Sequence, residues 1–376
     1  MNRTSPPPDI LHVIHGLTVG GAEVDLVGKL RILRRDYGYP VTVCCLMRRG
    51  TLTESLEGAG GRVIGPLMRH RRDARVVGTL RHLLLSRPWD LVHSHLYEGN
   101  VITGLALATI PRRLRPGWIV AEHSMAEIWG RVPLLVDRIM ARQARAFLVP
   151  TESAAKSFAA RGVARHRLRV LPNGIDTRAF PAEDAEAARR RVRDSLGIGE
   201  GDILLGTICR LHALKGLPVL FEAAASLPVR VVVAGDGPAR DDLAALIASR
   251  GWSERIRLLG TRTEVPELLA AFDLFVLPSL SESMSIAVAE ALLAGTPVVA
   301  TRTGGVPELT GDGRYATLVS PGDVVALRAA ITHALADLPA ARIAAAAGGD
   351  WVRERLGLES IVRRLHELYR EVSTSR

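Results

Sequence analysis

Two carboxylates eight positions apart, Glu282 and Glu290, sit in the stretch Pro278–Leu309, PSLSESMSIAVAEALLAGTPVVATRTGGVPEL. Between them Ser285 precedes an apolar run, Ile286 to Leu293, that stops at Gly295. A serine there reads as a helix N-cap and the glycine as a helix stop. A helix start exposes free N–H groups and partial positive charge, which suits an anion. One carboxylate then precedes the anion position and the other lies about one turn inside the helix. An ordinary helix with solvated glutamates has the same spacing.

Cations follow the same logic. In Cys209–Gly216, CRLHALKG, Arg210 and Lys215 stand five positions apart where an apolar run gives way to a helical one. A planar guanidinium fork and a point-charge ammonium suit a diphosphate. In Asp90–His95, DLVHSH, alternating histidines share one face of a strand end. His95 is the outer one, placed to donate to, or exchange a proton with, a substrate hydroxyl. His93 reads as structural, and His123 in AEHS is a secondary candidate. Any single one of these histidines is more often structural than functional. The loop His15–Glu23, HGLTVGGAE, carries Gly20 and Gly21, which let backbone approach a ligand closely before a helix that begins at Ala22. A plain tight turn is the other reading. The loop is not GxGxxG, and no DxD, HExxH, Cys/His motif, GxSxG or Walker motif occurs. Neither a metal nor a cofactor is therefore expected.

These loops need elements to hold them. Strand-like runs at Ile10–Ile14, Val41–Leu46, Leu91–Ser94, Trp118–Glu122, Ala146–Pro150 and Leu168–Leu171 alternate with helical segments at Glu23–Leu33, Val76–Ser86, Leu134–Arg142 and Ser153–Arg161. The pattern predicts βαβ units and a parallel sheet covered on both faces. It breaks at LPNGID, Leu171–Asp176, and runs polar to Gly201 with a helix near Glu186–Leu196. It restarts with strands at Ile203–Cys209, Val229–Ala234, Ile256–Leu259, Leu274–Leu277, Pro297–Ala300 and Ala316–Val319, and helices at Leu217–Ser226, Asp241–Arg250 and Val324–Asp337. Two doubly wound domains follow, with a proline-rich lead expected to be disordered. A final amphipathic helix, Leu358–Val372, must pack on one of them. Two such halves would hold a ligand between the carboxyl ends of their strands.

Composition agrees with two domains: 376 residues, 47% hydrophobic. Aromatics at 4% argue against stacking platforms for single-stranded nucleic acid. The net charge of +10 is uneven. Residues 1–173 hold 26 basic and 13 acidic side chains, a balance of +13, and the remainder 23 and 26, a balance of −3. Arg69, Arg71, Arg72, Arg75, Arg112, Arg113 and Arg115 are the densest basic positions; a solvated face or a phosphate-bearing partner explains them. The cysteines Cys44, Cys45 and Cys209 read as buried thiols in a reducing compartment. With no signal-peptide core and no run of ~18 apolar residues, a cytoplasmic protein is expected.

Together the motifs resemble the retaining glycosyltransferases of family 4, with the two-domain GT-B fold. GGAE (Gly20–Glu23), DLVHSH, LPNGID and R-x4-KG (Arg210–Gly216) occur in the family's order. AGDGP (Ala234–Pro238), E-x7-E (Glu282–Glu290), GTPVVAT (Gly295–Thr301) and GGVPEL (Gly304–Leu309) continue it, and the set spans nearly the whole chain. Serines stand at 283 and 285 where the family often has glycine. The resemblance implies an acceptor-binding domain over 1–173 joined by a returning helix 357–376. It implies a nucleotide-sugar domain over 174–356, the two Rossmann-like sheets facing a central cleft that closes against water. It also implies roles. Arg210 and Lys215 hold and stabilise the leaving diphosphate, and Glu290 takes the ribose hydroxyls. Glu282 takes donor-sugar hydroxyls, with Ser285, Ile286 and Ala287 supporting phosphate and sugar. Thr263, within Thr261–Val265, lies near the base. Gly20 and Gly21 approach the donor and His95 the transferred sugar.

The implied reaction moves a sugar from a UDP- or GDP-sugar to a sugar, lipid-linked or small-molecule acceptor, with configuration retained. The basic first half adds an expected contact with an anionic membrane surface at the inner face. Three other classes remain open at this point. A sugar-nucleotide epimerase would keep the fold, an NAD-dependent oxidoreductase would need the missing glycine fingerprint, and a nucleic-acid or phospholipid binder would rest on charge alone.

Overall fold

A computed structural model describes residues 6–18, 20–123, 131–181 and 184–374. Residues 1–5 of the proline-rich lead, Val19 in the first glycine loop and Ser124 after His123 lie outside them. The chain divides into two compact units, residues 1–174 with 358–376, and 175–357.

The first unit contains strands β1 (Ile10–Gly16), β2 (Val41–Arg48), β3 (Arg62–Ile64), β4 (Leu91–His95), β5 (Gly117–Ala121), β6 (Ala146–Val149) and β7 (Leu168–Val170). They form one parallel sheet in the order β3-β2-β1-β4-β5-β6-β7. Its helices are α1 (Gly21–Tyr37), α2 (Leu52–Gly58), α3 (Arg75–Leu85), α4 (Leu96–Ala108), α5 (Arg131–Gln143) and α6 (Glu152–Ala160).

The second unit contains helices α7 (Ala185–Ser195), α8 (Leu217–Ala224), α9 (Arg240–Ser249), α10 (Val265–Ala271), α11 (Ile286–Leu293), α12 (Val306–Leu309), α13 (Val324–Ala336) and α14 (Leu338–Leu356). Its strands are β8 (Ile203–Ile208), β9 (Val229–Ala234), β10 (Ile256–Gly260), β11 (Leu274–Leu277), β12 (Val298–Thr301) and β13 (Thr317–Val319). The parallel order is β10-β9-β8-β11-β12-β13. The chain ends with α15 (Leu358–Thr374) in the first unit.

Each sheet is apolar on both faces, so each unit has two cores. In the first, one face buries Leu11, Val92, Trp118 and Phe147, and the other Ile10, Ile14, Leu91 and Ile119. α15 closes the second face with Leu358, Val362, Leu365, Tyr369 and Val372 against Leu26, Leu30 and Leu33 of α1. In the second unit Phe275 and Leu277 face one core and Leu274 and Val276 the other, the strand alternation expected of a doubly covered sheet.

Both sheets change winding direction once: between β1 and β4, and between β8 and β11. Doubly wound sheets bind ligands outside the carboxyl ends of the strands at that reversal. Gly20 and Gly21 follow β1 at the start of α1, and His95 ends β4. The loops after β8 and β11 carry Arg210, Lys215, Glu282 and Ser285.

Several elements were not read from sequence. β3 is three residues long. α4 is mostly apolar, and its polar Glu98, Asn100 and Thr103 do not gather on one face, so it shows no amphipathic stripe. α14 contains Gly348-Gly349, which signals a break. Both glycines are packed: a Cβ on Gly348 would lie 2.9 Å from Leu292 Cδ2, and one on Gly349 2.5 Å from the Leu292 carbonyl oxygen. The pair lets α14 lie directly on α11. Among the described residues no single helix is long and apolar enough to cross a membrane.

Candidate active site

The second-unit cluster begins at Ser285. Its backbone is extended and its Oγ accepts from the Val288 N–H at 3.4 Å, capping α11, whose first residues are Ile286 and Ala287. The helix start therefore falls where the serine and the apolar run put it. The preceding loop is held by its own hydroxyls. Thr301 Oγ1 donates to the Ser279 carbonyl at 2.6 Å, and Ser279 Oγ donates to Glu282 Oε1 at 2.8 Å.

Lys215 Nζ donates to the same Glu282 oxygen at 2.6 Å. The β8 loop is drawn onto the β11 loop by backbone as well. Leu280 N–H donates to the Leu214 carbonyl at 2.8 Å, and Gly216, at φ 61°, leaves no room for a side chain beside the Pro278 carbonyl oxygen, 2.2 Å from its would-be Cβ. Gly304, at φ 53°, is tighter still: a Cβ would lie 1.5 Å from the Glu282 carbonyl oxygen. Only glycine lets the loop after β12 pack there, and it fixes the Glu282 backbone.

Arg210 is exposed and, among the described residues, makes no ion pair, so its guanidinium is available to an anion. Glu290 is half-buried, and burial pushes its carboxyl up to about 7. Thr263 lies in the loop after the edge strand β10, its N–H donating to Glu264 Oε2 at 3.0 Å. No hydrogen bond among the described residues ties it to the Lys215–Glu282 cluster. The neighbouring Arg262 holds the Glu264 carboxyl down to about 2.

In the first unit, Gly20 is the N-cap of α1, which begins at Gly21, one residue before the expected start. The Glu23 carboxylate folds over Gly20, 2.4 Å from where a Cβ would be. His95 ends β4 and is buried. The next residue, Leu96, takes φ 64°, a left-handed conformation that a leucine adopts at a cost of roughly 1–3 kcal/mol. His95 Nε2 lies 3.2 Å from His12 Nδ1. His93 was expected to be a satisfied structural residue, and only half of it is: Nδ1 meets the Tyr369 hydroxyl at 2.7 Å, whereas the buried Nε2 has no partner among the described residues. A cavity of about 30 Å³ opens beside His95, bordered by Asp25, Lys29, His93, Glu122 and His123.

His12 was missed from sequence because nothing in ILHVIHG marks it; the β1–β4 register sets it opposite His93. Ser279 was missed because its role needs Glu282 folded back over it. The serine-rich PSLSES was the available signal.

The profile described as Glycosyltransferase Family 4 matches residues 19–179, and that described as Glycosyl transferases group 1 matches residues 202–337. The chain belongs to this glycosyltransferase family. A 2-deoxystreptamine glucosyltransferase of Streptomyces kanamyceticus is 31% identical over 73% of this chain and 76% of its own length. A D-inositol 3-phosphate glycosyltransferase of Mycobacterium marinum is 32% identical over 69% of this chain, which spans 58% of that protein. Among solved structures, Anabaena HepE in complex with UDP-glucose superposes with a TM-score of 0.86 at 23% identity, covering 97% of this chain and 100% of its own. At that identity the likeness concerns the fold: this glycosyltransferase has two Rossmann-like parallel sheets of seven and six strands in the GT-B manner.

Proposed function

We propose that this glycosyltransferase moves a sugar from a nucleotide-sugar, a UDP-sugar before a GDP-sugar, to an acceptor hydroxyl with retention of configuration and without a metal at the diphosphate. One observation carries the reading. Lys215, Glu282 and the Ser285-capped start of α11 come from loops after the two strands that flank the sheet reversal, with Arg210 free on the first of those loops. Arg210 and Lys215 take the diphosphate with the helix N–H groups of Ile286 and Ala287. Glu290 accepts from the ribose hydroxyls, Glu282 from donor-sugar hydroxyls, and Thr263 lies toward the base. Gly20, Gly21 and His95 serve from the first unit, which takes the acceptor. The UDP preference draws on the UDP-glucose complex of HepE. The polyhydroxylated ring compounds named for the two relatives favour a sugar or small polyol acceptor.

In the step, the bond from the anomeric carbon to the diphosphate oxygen breaks, and the acceptor oxygen bonds to that carbon on the same face. The acceptor proton passes to the departing phosphate oxygen. Glu282, already held by Lys215 and Ser279, positions the sugar and does not bond to it. Negative charge grows on the diphosphate, and each preorganised cation there contributes on the order of 2–4 kcal/mol. Incubation with a panel of nucleotide-sugars, with and without polyol acceptors, tests the reading. Acceptor-dependent release of nucleoside diphosphate and an axial-to-axial product support it. Epimerised sugar-nucleotide, or a glycosyl adduct trapped on Glu282, contradicts it.

A second element is contact of the first unit with an anionic lipid surface. Leu114 is 52% exposed next to exposed Arg112 and Arg113, an apolar tip flanked by cations. Arg71 and Arg75 are instead paired, to Glu98 and Asp73. Sedimentation with phosphatidylglycerol vesicles at low salt tests this. Binding lost in the Arg112→Glu/Arg113→Glu variant supports it, and no preference for anionic over neutral vesicles removes it.

A further inference from the structure

The first unit holds a buried group of three imidazoles, of which the proposed sugar transfer uses only His95. One ring nitrogen from each of His12, His93 and His95 lies within 4.8 Å of the other two, and all three side chains are buried. The pairing of β1 with β4 creates the group, setting His12 opposite His93 and leaving His95 two residues on along the same face. We propose that His12, His93 and His95 form a site for one zinc-class divalent cation, with the fourth position open to the adjoining cavity.

Three features support this. The His12 Nδ1 to His95 Nε2 separation is 3.2 Å. Nitrogens at the usual zinc distance of about 2.0–2.1 Å in a tetrahedron stand roughly 3.3 Å apart, so this edge already has the size a metal needs. Second, His93 Nε2 is buried with no partner among the described residues, while Nδ1 meets the Tyr369 hydroxyl at 2.7 Å. With Nδ1–H donating to that oxygen, Nε2 keeps an unshared lone pair. A ligating histidine anchored through its other nitrogen is the common arrangement. Third, the charges suit a cation. Among the described residues the one ammonium bordering the cavity, Lys29, is neutralised by Asp25 at 2.6 Å, and the carboxylate of Glu122 adjoins the same cavity. That cavity, about 30 Å³, has room for a water as fourth ligand.

Three imidazoles without a thiolate select zinc, cobalt, nickel or copper over magnesium or calcium. On binding, the His93 nitrogen, which lies within 4.8 Å of the other two, has to approach them to about 3.3 Å. This binding does not depend on the reaction proposed above. It has one consequence that does: if His95 serves sugar transfer, an ion on its Nε2 withdraws it, and activity falls as the site fills.

The test uses the untagged full chain, stripped with a chelator and titrated with Co²⁺, then Zn²⁺. One tightly bound ion per chain is expected, with the intense visible spectrum of tetrahedral cobalt, displaced by zinc. His12→Asn and His93→Asn should each weaken binding by at least 100-fold, and Tyr369→Phe by about 10–100-fold through loss of the anchor. X-ray absorption at the zinc edge of the wild type decides the matter even where a variant does not fold. It should show a nitrogen-rich shell near 2.0 Å with imidazole scattering. Absence of stoichiometric binding, an all-oxygen or sulfur-containing shell, or binding unchanged in folded His12→Asn protein overturns the site. These readouts stand whether or not sugar transfer is detected.

Discussion

Lys215 Nζ and Glu282 Oε1 meet at 2.6 Å, joining the loops after β8 and β11. The two partners are not equivalent. Glu282 is 6% exposed, whereas the Lys215 side chain keeps 24% of its surface. Lys215→Met leaves a buried carboxylate with Ser279 as its remaining hydrogen-bond donor. Glu282→Gln leaves an ammonium that water still reaches. Urea unfolding should therefore show a loss of about 2–3 kcal/mol for Lys215→Met and about 1 kcal/mol for Glu282→Gln. The reverse order would contradict this account of the pair.

The same loops should govern the chemical step. Arg210→Ala and Lys215→Met are expected to lower kcat by about 100–1,000-fold, with a smaller change in donor KM, because the charge they meet grows as the diphosphate leaves. Steady-state kinetics on the best donor of the panel checks this. A rise in KM with kcat unchanged would assign them to uniform donor binding.

Glu290 gives a pH dependence. Burial raises its carboxyl to about 7, so the folded protein holds a proton there that the unfolded chain releases near the ordinary carboxylate value. The folded state binds more protons between those values, so stability falls as pH rises from about 4.5 to 7. Glu290→Gln should flatten that part of the melting profile. Ribose hydroxyls donate to the ionised form, so UDP affinity should rise roughly tenfold from pH 6 to pH 8 in the wild type and stay level in Glu290→Gln. Calorimetry at the two pH values reads this directly.

Gly304→Ala should unfold the loop cluster locally, since its Cβ would fall 1.5 Å from the Glu282 carbonyl oxygen at φ 53°. We expect a melting temperature several degrees lower and loss of donor binding. Gly201→Ala, with nothing within 4 Å, should melt like the wild type.

The second unit should fold alone. Every residue of its two hydrophobic clusters lies between 175 and 356. A 175–357 fragment is expected to unfold cooperatively and to bind UDP more weakly than the full chain. Deleting 358–376 should instead unfold the first unit, because Leu358, Val362, Leu365, Tyr369 and Val372 leave its core. Each is worth roughly 1.5–3 kcal/mol of burial. Scanning calorimetry of the fragment and the deletion distinguishes these outcomes.

Local chemistry explains where the sequence was legible. Strands Val229–Ala234 and Leu274–Leu277 and helix Ile286–Leu293 were read with the bounds they have. Each is a short apolar run between strong turn or cap residues, and Ser285 and Gly295 act on neighbours a few positions away. α4 and α14 escaped because their signals depend on contacts. A helix whose few polar residues are scattered around it shows no stripe, and a glycine pair inside a helix reads as a break until Leu292 is packed against it.

By itself, then, the sequence determined the two parallel α/β sheets, the family, and the residue types after each strand, since periodicity, caps and motif order are properties of neighbouring positions. Tertiary structure decided which of those residues meet. Lys215 reaches Glu282 across 67 positions because β8 and β11 are adjacent at the reversal of the sheet. His12 joins His93 and His95 because β1 pairs with β4 in one register and not in the next, where its side chain would have faced the other side.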